Sequence, residues 1–145
     1  MTIRTAHTVW EGGLQDGSGT VSFDSSGIGS HEVTWPSRAN EPEGRTSPEE
    51  LLAAAHSACY SMALAHELGG RGVRLESVET RAEVTFVPGQ GITGIELRAR
   101  ASVPGMSTQD FAAAAETAEK NCPVSQALAG TTIRLRAELV SGGTP

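Results

Sequence analysis

The chain has 145 residues, 38% of them apolar and only 4% aromatic, and a formal net charge of −6. That length suits one compact domain, residues 1–145, which can bury a core without disulfide staples. The acidic balance excludes nucleic acid as a partner, because phosphate recognition needs a basic face.

No run of 18 apolar residues marks a membrane span, and the opening MTIRTAHTVW lacks the apolar stretch of a signal peptide. The chain is therefore expected in the reducing cytoplasm, where two cysteines seldom form a permanent structural disulfide.

Residues 3–10 alternate loosely and read as a strand. Glycines at 12, 13, 17 and 19 punctuate a turn, and GTVSF at 19–23 returns as a second strand. Residues 31–35 form a third short strand ended by Pro36, and the polar residues 37–45 read as a loop. Ser47, Pro48 and Glu50 then spell a helix start with a capping box. From Glu49 to Leu68 the residues are good helix formers, and Gly69-Gly70 supplies a stop signal. Its middle, LLAAAHSACYSMAL, is apolar nearly all round, which predicts burial on most faces.

Two alternating strands, 75–87 and 92–103, joined by PGQG, predict a long hairpin with one solvated face. Ser107 caps a second helix to about Lys120. Cys122-Pro123 opens a short third helix to Ala129, and residues 131–140 form a last alternating strand. The tail 141–145 reads as disordered. The order of elements is not a run of βαβ units, which predicts an α+β fold with an antiparallel sheet.

Both cysteines invite a chemical reading and a plain one. Cys59 lies twelve residues past the cap of an apolar helix, beyond the reach of the helix dipole. Burial there would raise its pKa and silence it, so the plain reading is a core cysteine. To react, it needs a cation from outside its helix. Cys122 precedes Pro123 at a helix start, where backbone N–H groups favour a thiolate, and local electrostatics alone nominate it as the nucleophile. Spacing does not decide between the two.

His56 and Cys59 have a metal-ligand spacing, but no CxxC and no second His pair accompanies them, so no metal is expected. The glycines at 12–19 lack the lysine and following helix of a nucleotide loop. Glu49 and Glu50 read most simply as first-turn acids, and Arg38 and Arg45 as solvated loop charges.

The stretch RTSPEELLAAAHSACYSMAL, Arg45 to Leu64, closely resembles the central-helix motif of the OsmC/Ohr family. NCPVSQAL, from Asn121 to Leu128, resembles that family's second cysteine motif, and HTVWEGGLQDGSGTV resembles its N-terminal hairpin. The AAHSACYSMAL form is more similar to the OsmC branch.

The resemblance implies antiparallel sheets around a long central helix in an intertwined homodimer, with active sites at the subunit junction. It also implies a cysteine-based peroxidase without metal or other cofactor, reducing organic hydroperoxides and, in the OsmC branch, hydrogen peroxide. Cys59 matches the peroxidatic cysteine, Cys122 the resolving cysteine and Glu49 the catalytic glutamate. Arg38 best matches the catalytic arginine, with Arg45 as the alternative. A dithiol reductant, of lipoyl type by family precedent, would reopen the disulfide.

On that pattern Arg38 is the external cation that Cys59 needs. Glu49 and Cys59 are ten residues apart, roughly 15 Å along one helix. Two antiparallel copies crossing near Ala54 would bring the partner's Glu49 level with Cys59. A non-catalytic small-molecule binder on the same scaffold is the rival reading, since fold does not fix function. A thiol–disulfide exchanger is a weaker one, because the thiols are far apart in sequence.

Overall fold

The structure, a computed structural model, describes residues 1–141. The chain divides into two compact units, Met1–Leu51 and the residues from Leu52 onward.

The first unit holds a three-stranded antiparallel sheet, β1 (His7–Glu11), β2 (Ser18–Ser22) and β3 (Ser30–Val33), in sequential order. β1 starts four residues later than its alternation predicts. β2 offers only five partners, from His7↔Ser22 to Glu11↔Ser18, so residues before His7 have no strand to pair with. The turn between them is closed by the Gly17 N–H donating to the Gly13 carbonyl at 2.8 Å. A Cβ on Gly17 would lie 2.6 Å from the Glu11 carbonyl oxygen, so only glycine fits this turn.

The predicted third strand ends early, and part of the predicted loop is helical. Thr34 caps α1 (Trp35–Ala39), and Thr34 and Ser37 form a reciprocal capping box. Pro36 opens this helix rather than merely ending the strand, because its missing N–H falls in the first turn. The chain then returns along β3, where the Thr46 N–H donates to the Glu32 carbonyl at 3.1 Å.

α2 (Pro48–Gly70) begins where its cap signal lies, with the Glu50 N–H donating to Ser47 Oγ at 3.1 Å. Only half of the capping box forms, since the Glu50 carboxylate accepts from the Thr46 hydroxyl at 2.6 Å. The helix runs through both glycines of its expected stop. It ends at Gly70, and Gly72 just beyond, with a φ of +75°, suits the left-handed residue that closes a helix.

The second unit contains β4 (Ser77–Val87), β5 (Gly91–Ser102), α3 (Thr108–Asn121), α4 (Pro123–Ala127) and β6 (Ile133–Ser141), with sheet order β4-β5-β6. β4 and β5 form the expected antiparallel hairpin. β6 pairs parallel to β5, because α3 and α4 carry the chain back to the starting end of the sheet. Ser141, read with the tail, ends β6, and residues 142–145 lie outside the described residues.

β5 is the central strand, and Ile95, Leu97, Ala99 and Ala101 alternate inward. Leu97, Ala99 and Ala101 meet Tyr60, Leu64 and Leu68 of α2 and Phe111, Ala114, Ala115 and Ala118 of α3. Each fully buried leucine contributes about 1.5–3 kcal/mol. The small α3 residues allow close approach, and the Tyr60 hydroxyl donates to the Ala115 carbonyl at 2.9 Å.

α2 is buried on one face only. His56, Tyr60, Leu64 and Leu68 turn inward, while Ala54, Ala58, Met62 and Ala65 form an exposed stripe at helical spacing. The expected burial on most faces is therefore not met within one chain.

Candidate active site

The predicted site residues fall into two close pairs, one in each unit. In the first unit Arg38 lies in the last turn of α1 and Glu49 in the first turn of α2. Each helix end favours the charge it carries. Arg38 Nε donates to Glu49 Oε1 at 3.0 Å, and Nη2 donates to Oε2 at 2.8 Å. This is the two-pronged fit of a guanidinium on a carboxylate. Glu49 is only 7% exposed, so the arginine offsets the cost of burying its charge.

Arg45 is engaged elsewhere, donating from Nε to Glu32 at 2.6 Å, and so is not the partner of Glu49. Arg38 also lines an apolar cleft of about 400 Å³ with Trp10, Val21, Trp35, Pro48 and Leu51. Trp35 lies in this cleft, whereas Met106 is in the core and Met62 is 72% exposed.

In the second unit α2 and α4 bring the two cysteines together. Cys122 Sγ lies 3.3 Å from Cys59 Sγ, and both thiols are free. Cys59 is partly exposed, whereas Cys122 is fully buried. Burial pushes the Cys59 thiol above its ordinary pKa, a hydrogen bond from the Val124 backbone N–H pulls it down, and the neighbouring Cys122 adds to the rise.

The backbone N–H groups at the start of α4 were expected to favour Cys122. Its side chain makes no capping bond. The first-turn amide of Val124 serves Cys59 instead. Of the two cysteine sulfurs, the partly exposed one therefore also holds the backbone donor.

His56 does not pair with Cys59 as a metal spacing would suggest. Its Nε2 is 2.7 Å from Ser125 Oγ. Sequence reasoning missed Val124 and Ser125. The one available signal was the repeated three-residue step, His56 to Cys59 and Cys122 to Ser125.

An α+β fold that closes two distant cysteines into contact, one accessible and one buried, defines a dithiol protein. The family model described as OsmC-like protein matches residues 41–137. Peroxiredoxin OsmC of Escherichia coli (strain K12) is 39% identical over 132 residues, covering 88% of this chain and 92% of that protein. Organic hydroperoxide resistance protein OhrA of Bacillus subtilis (strain 168) is 32% identical over 95 residues, 64% of this chain and 67% of that protein. The OsmC-like protein of Mycoplasma pneumoniae has the same fold, with a TM-score of 0.74 at 16% identity over 96% of this chain and 98% of its own. The chain belongs to the OsmC family.

Among the described residues, no helix is long and apolar enough to cross a membrane.

Proposed function

We propose that this protein is a cysteine-based peroxidase for organic hydroperoxides and, following the OsmC branch, for hydrogen peroxide. The carrying observation is the 3.3 Å separation of two free thiols that differ in exposure. Relatives named as a peroxiredoxin and as an organic hydroperoxide resistance protein support the same chemistry.

In the proposed cycle the Cys59 thiolate attacks the terminal peroxide oxygen. The O–O bond breaks, the leaving oxygen takes a proton and departs as alcohol, and Cys59 becomes a sulfenic acid. Cys122 then attacks that sulfur. Its proton leaves with the hydroxyl as water, and the Cys59–Cys122 disulfide closes. A dithiol, of lipoyl type by family precedent, reopens it by exchange.

Arg38 is assigned as the cation that favours the thiolate and the charge on the leaving oxygen, with Glu49 orienting it. The apolar cleft beside Arg38 suits the alkyl part of a hydroperoxide. A reducing cytoplasm would keep both thiols free between turnovers.

Titrating the reduced protein with cumene hydroperoxide tests the reading. Both thiols should disappear at one equivalent. Unchanged thiols would leave the small-molecule binder as the better account.

A homodimer joined through α2 is part of the proposal. The exposed stripe Ala54, Ala58, Met62, Ala65 is an apolar, small-residue face that lets two helices approach closely. Two antiparallel copies crossing near Ala54 would set the partner's Glu49 level with Cys59. Ala58→Arg, exposed in the single chain and so harmless to its fold, is expected to halve the mass seen in sedimentation. A wild type already monomeric, or a variant still dimeric, would rule out this interface.

A further inference from the structure

The resolving sulfur sits at the joint between α3 and α4, and α4 has only five residues, too few for a helix to hold itself together in water. Its place depends on what ties it down. Besides the Val124 N–H that reaches Cys59, two side-chain rungs link it to α2. One is the sulfur pair at 3.3 Å, and the other joins His56 Nε2 to Ser125 Oγ at 2.7 Å. Each rung ends three residues from the other on both helices, so they brace the same short span.

The second rung is buried, with His56 fully enclosed and Ser125 5% exposed. The remaining ring nitrogen, His56 Nδ1, has no hydrogen-bond partner among the described residues. A buried imidazole with an unmatched nitrogen destabilises a core that an apolar side chain would fill without that penalty. Burial also lowers the pKa of His56, which keeps the ring neutral. A neutral ring can hold the serine without bringing a charge beside the thiols.

We infer that His56 is a positioning residue whose hydrogen bond to Ser125 keeps α4 docked on α2, holding Cys122 within closing distance of Cys59. The inference rests on the peroxidase reading for its purpose and on the two rungs for its geometry. When the clasp opens, α4 lifts and the buried Cys122 meets solvent. Sulfenic acid on Cys59 then waits longer for its partner and is open to a second oxidation.

Cys122 labelling measures this directly, because a fully buried thiol is alkylated only in the opened state and at a rate proportional to that state's population. The reduced full chain is treated with N-ethylmaleimide, and labelling at each cysteine is followed by peptide mass spectrometry. Ser125→Ala, a small and helix-compatible change, should speed Cys122 labelling about five- to tenfold, the size of one lost hydrogen bond. His56→Gln, which keeps an N–H donor at similar reach, should stay within about twofold of wild type. After one equivalent of cumene hydroperoxide, Ser125→Ala should also yield more dimedone-trapped Cys59 than wild type.

Unchanged Cys122 labelling in Ser125→Ala would overturn the inference. So would a rise that merely tracks a lower unfolding midpoint, or a His56→Gln protein as open as Ser125→Ala. Labelling as expected in a protein that consumes no hydroperoxide would sink the peroxidase reading and leave the clasp standing.

Discussion

Cys59→Ser is expected to lower hydroperoxide consumption by at least about a thousandfold, because no other group in the cycle can take the peroxide oxygen. Cys122→Ser is expected to behave differently, consuming one equivalent at close to the wild-type rate and then slowing to the rate of overoxidation. The difference follows from geometry. Cys59 is the exposed member of the pair and receives the Val124 N–H, whereas Cys122 is fully enclosed and cannot meet a substrate first. In the Cys122→Ser protein the sulfenic acid has no thiol 3.3 Å away to close on, and further peroxide should drive it to sulfinic and sulfonic acid. Intact-mass measurement after one and ten equivalents distinguishes these states. A Cys122→Ser protein that fails even its first turnover would reverse the two roles.

The second large effect is expected at Arg38. Arg38→Met keeps much of the side-chain bulk and removes the charge. Single-turnover oxidation of Cys59 should slow about 10²–10³-fold, the usual cost of losing a donor aimed at developing charge. The same change leaves the buried Glu49 carboxylate without its forked partner, destabilising the protein by about 1–3 kcal/mol. Adding Glu49→Met removes the stranded charge, so the double variant should recover much of the urea midpoint without recovering the rate. Stability and chemistry are thereby separated at one ion pair. Wild-type oxidation kinetics in Arg38→Met would show that Arg38 is a structural partner of Glu49 and nothing more.

Much of this was readable in the sequence because local signals agreed with tertiary demands. Ser47-Pro48 opens α2, Ser107 caps α3, and alternation marks β4 and β5. α1 is hidden because Pro36 reads equally as the end of a strand, although Thr34 and Ser37 flank it at capping-box spacing. The parallel pairing of β6 was hidden because an alternating strand looks the same in either direction.

At the site, the Arg38–Glu49 fork could be expected only from family likeness. The ten residues between them include a loop whose path no periodicity fixes. The sulfur contact is likewise tertiary, and the local rule for helix starts nominates the cysteine that directly precedes the helix. The rule was sound, but the amide it concerned belongs to Val124 and faces a sulfur on another helix.

The late position of β6 bears on biogenesis. Cys59 emerges from the ribosome 63 residues ahead of Cys122, and the strand that fixes the crossover emerges last. Parallel pairing across such a link forms slowly, because chain closure precedes any reward from contacts. Until then the first thiol has no companion to retire its oxidised form. On the proposed cycle, the newborn polypeptide would thus be more open to irreversible oxidation than the finished protein.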